Sequence, residues 1–431
     1  MTRGNSLGPK ITTVEIYLEN FDTELYEEIQ RGTVLKYSDV KDPVVLWWTP
    51  FTGEPGTLRQ CGDSWCYVTD DRQFFHDGLA RAVLFYGSRL DLLDLPRPRD
   101  GPRLLWALLH EESPKNVPAL CHEALLSLFN HSSTFSRHSD VPLTLQYLGG
   151  SELLATTKYV VATAEKDALL GELAPVLYIQ SSCDAPSGRD SYVRELGRYI
   201  GVDSYGKCLQ NKKLPENIAN HSEGQDSEDF LNFMARYKFT LALENAVCED
   251  YITEKLWRPL VVGSVPVYMG SPSVRDWLPN NESAILVSDF NSPRDLARHL
   301  LALNVDTAAY ERHLQHKAGR VENRRLLSAL DARPPGSDWG RYVQRLECLV
   351  CERLGPGGAG TRSVVGPRQY DCPEPRSPLT GRRDELAPWN QVWQAGRCEA
   401  SLSRSIALHN RTVSREEYSE RLLQLLQSGE C

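Results

Sequence analysis

The sequence lacks any long apolar run. Among its 431 residues, no stretch approaches about 18 consecutive apolar positions, the length that a membrane-spanning helix requires. The N-terminus also lacks a signal-peptide pattern, so we expect neither an anchor nor a secretion signal in this chain.

Positive charge is not in excess either, since the formal net charge is −9. Because proteins that neutralise nucleic-acid phosphates usually carry a basic surface, we predict no nucleic-acid partner.

Two glycine signatures of nucleotide binding are missing as well. The sequence has no Gly-x-x-x-x-Gly-Lys-Ser/Thr loop, and no predicted strand runs into a Gly-x-Gly-x-x-Gly turn. The acidic doublet Asp70–Asp71 follows "CYVT" and is interpreted as a turn. These absences argue against P-loop and dinucleotide-binding proteins, and they predict no metal-held nucleotide site.

What the sequence does contain is a globular composition, with 41% hydrophobic and 24% charged residues. Apolar runs of strand length recur along it, and such runs are typical of parallel sheets covered on both faces. The predicted strands are Pro43–Thr49, Arg81–Gly87, Arg103–Glu112, Ala174–Ser181, Tyr237–Glu244, Val265–Gly270 and Ser283–Phe290. Predicted helices lie between them, among them Arg189–Gly201, Thr253–Gly263 with an interruption at Pro259, and one capped by Ser292 with Pro293 in its first turn.

The alternation of strands and helices predicts an α/β fold with two Rossmann-like domains that face a cleft. We assign residues 34–165 to the first domain and 166–352 to the second. Residues 1–33 are predicted to form an N-terminal stem or flexible segment. Residues 353–431 begin with a stretch rich in Gly, Pro and Arg, which predicts a linker followed by a short C-terminal extension.

Charged residues stand at strand ends and helix starts, where ligands bind in such sheets. Glu112 follows a buried strand and is either a solvated rim residue or a catalytic base. Only one of Glu111 and Glu112 can face the cleft, because neighbouring strand residues point to opposite faces. Arg189 begins a helix, where it either completes an anion site or lies on the surface.

The segment after the strand Tyr237–Glu244 also places charged and polar residues at a strand end and a helix start. Glu254 and Lys255 stand at a helix start, and Lys255 either meets an anion there or pairs with Glu249 or Asp250. Asn245 is either a ligand-binding amide or a turn residue, and Tyr251 could be a packed aromatic. One domain would supply a base, and the other would supply two cations, a carboxylate and an amide. Such a set would suit the displacement of a diphosphate from a sugar without a metal.

The cysteines and sequons carry a weaker signal about the cellular compartment. Cysteine pairs occur in "CGDSWC" (Cys61, Cys66) and "ECLVCE" (Cys348, Cys351). Free thiols, a redox pair and structural disulfides all remain open, whereas zinc-finger spacing of further ligands is absent. The glycosylation sequons, which weakly favour a lumenal protein, lie at Asn130, Asn220, Asn281 and Asn410.

Several motifs in order resemble one family. "YKFTLALENAVCEDYITEKLW", "VPVYMGSPS" and "SDFNSPRDLARHL" closely resemble the signature of the α1,3/4-fucosyltransferases, over about Val44–Cys351. "LLHEESPKN", "STFSRHSD" and "DSYVRELGRYIGVDSYGKCLQNK" are most similar to the branch that contains fucosyltransferases 10 and 11. That branch is regarded as modifying Ser/Thr of EMI domains. The resemblance implies a glycosyltransferase-B fold and an inverting enzyme that uses GDP-β-L-fucose without a metal or other cofactor.

Matching the family's motifs assigns roles to residues of this chain. Glu112 matches the catalytic base, and Arg189 and Lys255 match pyrophosphate contacts. The contacts to ribose, the guanine side or fucose fall on Asn245, Tyr251 and Glu254. The resemblance also implies disulfides that link Cys61 and Cys66 to Cys348 and Cys351. The first domain would then serve the acceptor and the second would bind GDP-fucose.

The resemblance leaves the acceptor open. This chain reads "LENA" where Lewis-type members read "FENS", and the acceptor loops of those members are not recognisable here. The expected acceptor is a glycoprotein with an EMI domain. The alternatives are GlcNAc of N-glycans or N-acetyllactosamine as acceptor, and a pseudo-transferase that binds GDP-fucose without turnover. Family members are type II membrane proteins of the endoplasmic reticulum or Golgi, so membrane association would use an anchor absent from this chain.

Overall fold

The computed structural model describes residues 40–50, 53, 56–96, 104–219, 227–333, 339–355, 363–409 and 413–431. The predicted N-terminal stem and the sequons at Asn220 and Asn410 lie outside these residues. Within them, no helix is both long enough and apolar enough to cross a bilayer.

The first sheet has the strand order β2-β3-β1-β4-β5-β6, and all pairs are parallel except the β2–β3 hairpin. Its strands are β1 (Val44–Thr49), β2 (Thr57–Cys61), β3 (Ser64–Thr69), β4 (Ala80–Tyr86), β5 (Leu105–His110) and β6 (His131–Thr134). The apolar runs predicted β1, β4 and β5. They did not predict β6, whose sequence His-Ser-Ser-Thr is polar but fully buried. Several of its polar side chains are satisfied locally, for example by the bond from Ser133 Oγ to the carbonyl of Val141 at 2.9 Å, whereas the buried Oγ of Ser132 has no partner among the residues described.

The second sheet is parallel throughout, with the order β11-β10-β9-β7-β8. Its strands are β7 (Val176–Ile179), β8 (Val202–Tyr205), β9 (Phe239–Leu243), β10 (Val265–Met269) and β11 (Ile285–Leu286). Two parallel-rich sheets confirm the predicted α/β fold class. The strand predicted over Ser283–Phe290 is much shorter than expected, because a 3₁₀ turn over Val287–Asp289 replaces its second half.

The helices follow the start and stop signals in the sequence. They are α1 (Gln73–His76), α2 (Glu123–Leu126), α3 (Ser151–Ala155), α4 (Thr163–Leu169), α5 (Arg189–Leu196), α6 (Glu216–Ala219), α7 (Glu228–Ala235), α8 (Glu254–Val262), α9 (Pro293–Val305), α10 (Thr307–Arg312), α11 (Arg324–Asp331), α12 (Trp339–Leu354), α13 (Pro388–Leu408) and α14 (Arg415–Ser428). Ser292 caps α9 by accepting from the N–H of Asp295 at 3.2 Å. Helix α8 ends at Gly263, whose φ of 75° is the left-handed conformation that glycine adopts readily.

The prediction that Pro259 interrupts its helix is wrong. Helix α8 continues through it from Glu254 to Val262. Proline removes only one N–H donor from the helix, and the buried side chains of Leu256, Trp257 and Leu260 keep the flanking turns packed.

Helix α12 returns to the first sheet. Its apolar side chains, including Tyr342, Leu346 and Val350, share a core with Val45 and Trp47 of β1. The boundary drawn at residue 352 counted this helix with the second domain, because chain order alone does not reveal where a helix packs. In the structure, Cys61 is bonded to Cys348 and Cys66 to Cys351, which ties α12 to the β2–β3 hairpin.

The C-terminal segment packs more closely than a linker would. Tyr370, Cys372 and Ala400 share a buried cluster with Phe135 of the first domain and Tyr251 of the second. Helix α13 lies so close to residue 118 that a Cβ on Gly396 would stand 2.8 Å from the carbonyl carbon of Pro118. The extension therefore belongs to a core that both domains share.

The remaining cysteines pair within or between these parts. The bonds are Cys183–Cys208, Cys248–Cys372 and Cys398–Cys431. Cys121 is free, and burial raises the pKa of its thiol to about 12, which keeps it unreactive.

Peptide mapping without reduction should recover Cys61–Cys348 and Cys66–Cys351. These bonds span 287 and 285 residues of sequence. Closing one loop of that size is worth about 5–6 kcal/mol in the chain-entropy model, and the second bond adds less because the first already holds its ends close together. Reduction of both bonds should therefore lower the melting temperature strongly. Free thiols or bound zinc at these four positions would contradict the pairing.

Candidate active site

Residues that follow strand β5 approach residues that follow β9, and the region between them is called the cleft below. On the first side, Glu111 and Glu112 point to different surroundings. Glu111 is buried, and its Oε1 accepts a hydrogen bond from the phenol of Tyr86 at 2.7 Å. Glu112 is partly buried, and the charges of Lys255 and Glu254 in the second domain act on its carboxylate. Burial raises the pKa of Glu112, and the attraction of Lys255 opposes that rise.

The second side of the cleft is built around the start of α8. Glu244 is fully buried after β9, and its two oxygens accept from the N–H and the hydroxyl of Thr253 at 2.7 and 2.8 Å. Thr253 is the N-cap of α8, so this buried carboxylate fixes the helix start. The sequence analysis placed Glu244 at the end of a predicted strand and gave it no role, although a carboxylate directly after a buried strand was the available signal.

Lys255 lies in a small network of charges at this helix start. Its Nζ lies 3.0 Å from Glu254 Oε1 and 3.6 Å from Glu244 Oε2. The alternative pairing with Glu249 or Asp250 is therefore not the one in the structure. Burial lowers the pKa of Lys255, but Glu254 and Glu244 outweigh it and the pKa is raised, so the amine stays charged. Burial raises the pKa of Glu254, but Lys255 and Arg258 outweigh it and bring the pKa to about 2.

Arg189 begins α5 and reaches the end of β9. Its side chain is almost fully buried and donates to the carbonyls of Leu243 at 2.9 Å and Ser182 at 3.2 Å. Its Nε has no hydrogen-bond partner among the residues that the structure describes. The surface alternative is thus wrong, and the positive charges of Arg189 and Lys255 act on each other across the same end of the sheet.

Asn245 and Tyr251 lie on the loop between β9 and α8. The carbonyl of Asn245 accepts from the N–H of Ser187 at 2.9 Å, whereas its buried side-chain oxygen has no partner in the described part of the chain. Tyr251 packs edge-on against Phe135 of the first domain, with 5.1 Å between ring centroids. The aromatic is therefore packed between the domains.

Two interdomain contacts escaped the sequence analysis. Arg137 lies in the loop after β6 and binds Asp250 of the second domain, with Nε 2.8 Å from Oδ2, and Asp276 at 2.6 Å. Asp250 is fully buried, so its carboxylate needs donors around it, and Arg137 supplies a charged one. Lys115 donates to Ser182 Oγ at 2.8 Å from the first domain to the second. The motifs "STFSRHSD" and "ESPKN" contain both cations, but no local pattern reveals partners more than 60 residues away.

Tyr147 is a further residue that the sequence analysis missed. The charges of Glu112 and Glu254 act on its phenol, which places it in the same electrostatic environment as the candidate base. Burial raises its pKa well above the ordinary value, so the phenol stays protonated and able to donate.

The described residues contain few clusters of side chains that could bind a metal ion together. Across the described ranges, one trio of possible ligands is close together: Cys183, Asp190 and Cys208. The two cysteines are bonded to each other, so they offer no thiolates to a metal.

The described sequons differ in accessibility. Asn281 is exposed, whereas Asn130 is partly buried. The amide of Asn130 accepts from the N–H of Trp106 at 2.9 Å and donates to the carbonyl of Ser363 at 3.1 Å. Glycosylation at both sites remains a prediction, and Asn281 is the more accessible acceptor.

Glu111 should make stability depend on pH. Burial raises its pKa from 4.5 to about 7, so the folded protein holds a proton that the unfolded chain releases. The protonated Glu111 favours the folded state relative to the ionised form, and this contribution to the free energy of unfolding is fully present below pH 4.5 and is lost as the pH rises to about 7. It amounts to about 3 kcal/mol, from roughly 1.4 kcal/mol per pKa unit.

Glu111→Gln should therefore remove this loss. Urea unfolding at pH 5 and pH 8 should show a smaller fall in the free energy of unfolding for the variant than for the wild type. An identical fall in both proteins would show that Glu111 is ionised at its ordinary pKa.

Comparisons with known proteins place these features in a family. The C-terminal model of glycosyltransferase family 10 (fucosyltransferase) matches residues 172–356, and the N-terminal fucosyltransferase model matches residues 40–146. The chain is similar to GDP-fucose protein O-fucosyltransferase 3 of Mus musculus, with 45% identity over 87% of this chain and 82% of the relative. It is likewise similar to the Homo sapiens protein of that name, with 44% identity over 87% and 82% of the two chains.

The structure is also similar to a solved one. A crystal structure of an α1,3-fucosyltransferase with GDP-fucose covers 78% of this chain and 97% of its own, with 15% identity and a TM-score of 0.40. On the family models and the relatives, this chain belongs to glycosyltransferase family 10, the fucosyltransferases.

Proposed function

We propose that this fucosyltransferase moves L-fucose from GDP-β-L-fucose to a Ser/Thr hydroxyl of an EMI-domain protein, with inversion and without a metal. The observation that supports it most is a proximity across the cleft: the carboxylate of Glu112 in the first domain is close enough to Lys255 and Glu254 of the second for their charges to act on it. A base and a cationic helix start are thereby brought together.

The proposed reaction is a single displacement. Glu112 accepts the proton of the acceptor hydroxyl as the oxygen attacks the anomeric carbon, and GDP leaves from the opposite face. Lys255 and Arg189 meet the charge that develops on the diphosphate, at the positive end of α8. Asn245 and Glu254 supply hydrogen-bond acceptors for the hydroxyl groups of GDP-fucose or for its guanine side. Tyr251 lies beside this donor site, packed between the two domains.

Lys255→Ala and Arg189→Ala should each weaken GDP binding by about 1.5–3 kcal/mol, the range for hydrogen bonds to charged groups. Calorimetric titration with GDP measures this, with Arg275→Ala as a matched control, since Arg275 pairs with Asp289 on the surface. Unchanged GDP affinity in both site variants would reject the donor assignment.

EDTA should leave fucose transfer intact if the mechanism needs no metal. Loss of transfer in EDTA would reject the metal-free mechanism.

The name of the relatives, GDP-fucose protein O-fucosyltransferase 3, supports a protein acceptor. The chain should be incubated with GDP-fucose and either a recombinant EMI domain or N-acetyllactosamine. Mass spectrometry should find one deoxyhexose on a Ser or Thr of the EMI domain and none on the glycan. Transfer to the glycan alone would establish the alternative acceptor, and no transfer to either with GDP bound would indicate a pseudo-transferase.

We also propose that the protein works in the lumen of the endoplasmic reticulum or Golgi. Ten of its eleven cysteines are paired in the structure, and disulfides persist in oxidising compartments. Protease protection of the tagged chain in sealed microsomes tests this, and full digestion without detergent would contradict it.

A further inference from the structure

A cavity of about 120 Å³ lies where the two domains meet the C-terminal extension. The loops that carry the candidate site residues each contribute to its wall, through Pro114, Ser187 and Val247. The extension contributes the segment Pro373–Arg376 and, from α13, Trp389, Val392 and Trp393. The cavity therefore exists only when the extension is docked on the two domains.

The cavity lies beside the proposed reaction centre. Pro114 follows Glu112 by two residues, Ser187 precedes Arg189 by two, and Val247 follows Asn245 by two. Two residues of extended chain span at most about 7 Å. A group held in the cavity is therefore close to both the base and the donor side.

The extension is fastened at this point by three contacts. The phenol of Tyr370 donates to the carbonyl of Glu112 at 2.8 Å. Cys372 is bonded to Cys248, and the carbonyl of Asp371 accepts from the N–H of Glu249 at 2.9 Å. The matched family model ends at residue 356, so the residues that the extension contributes to the cavity lie outside the part of the chain that this model covers.

The chemistry of the walls favours a polypeptide over a sugar. Proline, valine and tryptophan side chains form most of the lining, and a buried hydroxyl without a partner is costly there. Two charged residues, Glu374 and Arg376, also line the cavity, and Glu374 is paired with Arg383 at 2.9 Å. The indole Nε1 of Trp389 is buried and has no hydrogen-bond partner among the residues described. An indole N–H only donates, so it suits a peptide carbonyl next to an apolar side chain.

We infer that this cavity is a subsite for an apolar side chain of the acceptor polypeptide, adjacent to the Ser or Thr that receives fucose. The inference rests on the proposed function, because it presupposes a protein acceptor. The extension then acts in acceptor selection, whereas the two sheets bind the donor and carry the base.

Val392→Trp fills the cavity from a partly exposed position on α13, and Trp389→Phe keeps the ring while removing its N–H. With a recombinant EMI domain as acceptor and saturating GDP-fucose, Val392→Trp should raise the acceptor KM at least tenfold, since a misfit in an apolar pocket changes discrimination by roughly 10–200-fold. Trp389→Phe should raise it less. The affinity for GDP should stay unchanged in both variants.

Val305→Trp is the matched control, because Val305 is 84% exposed at the end of α9 and does not line the cavity. If the wild type fucosylates the EMI domain and Val392→Trp retains the wild-type KM and GDP affinity, the inference alone is rejected. A raised KM for N-acetyllactosamine instead would assign the cavity to a glycan and overturn it. If the wild type never modifies the EMI domain, the proposed function fails, and the inference fails with it.

Discussion

Glu112→Gln is expected to lower fucose transfer by at least two orders of magnitude, because a positioned general base contributes about 10²–10⁴-fold. An alcohol does not lose its proton unaided at neutral pH, so the attacking hydroxyl needs the carboxylate. Burial raises the pKa of Glu112, which makes it a stronger base, while Lys255 keeps the ionised form accessible. Transfer should therefore rise with pH as the Glu112 carboxyl ionises. The affinity for GDP should change little.

Glu111→Gln is the matched control for this prediction. Glu111 is the neighbouring carboxyl, but it points to Tyr86 and is buried away from Lys255. Its amide variant should keep transfer near the wild-type rate when both proteins are assayed with the same acceptor at saturating donor. If Glu111→Gln carries the loss instead, the two side chains are exchanged between the faces of the strand. If neither variant loses transfer, the base is another residue.

Arg137→Ala should destabilise the fold by about 3–5 kcal/mol, the usual effect of removing one partner of a buried ion pair. Asp250 is fully buried, and without the guanidinium its charge would be left, among the residues described, to neutral donors such as Trp277 Nε1 at 2.9 Å and Ser273 Oγ at 2.7 Å. Chemical denaturation measures the change in the free energy of unfolding. Because Asp250 precedes Tyr251 and α8, transfer should fall as well.

Arg325→Ala is a suitable control, since Arg325 contacts the same Asp276 as Arg137 but lies exposed. Exposed ion pairs contribute about 0–1 kcal/mol, so this variant should unfold almost like the wild type. Equal effects in the two variants would show that the buried pairing with Asp250 does not hold the domains together.

Local patterns predicted those elements whose residues are close in sequence. The apolar strand Phe239–Leu243, the cap at Thr253 and the helix that follows could be predicted because strand burial, capping and helix start all act within about 20 residues. The same holds for Ser292 and Pro293 at the start of α9. The positions of Glu112 and Lys255 on facing elements followed from the rule that ligands bind at the carboxyl ends of parallel strands.

Features that depend on distant packing could not be predicted in this way. Strand β6 is polar in sequence, and its burial depends on its neighbour β5 and on the loop whose Val141 carbonyl accepts from Ser133. The pairing of Arg137 with Asp250 joins residues 113 apart. The extension resembled a linker because Gly and Pro dominate its start, whereas Tyr370 and Cys372 pack in the shared core.

A structure of the Glu112→Gln variant with GDP-fucose tests the central claim most directly, because the variant should bind the donor without turning it over. We expect the diphosphate within hydrogen-bond distance of Lys255 Nζ and the Arg189 guanidinium, with the anomeric carbon facing residue 112. A diphosphate bound away from the start of α8, or an anomeric carbon that faces away from residue 112, would contradict the assignment of this cleft as the site of transfer.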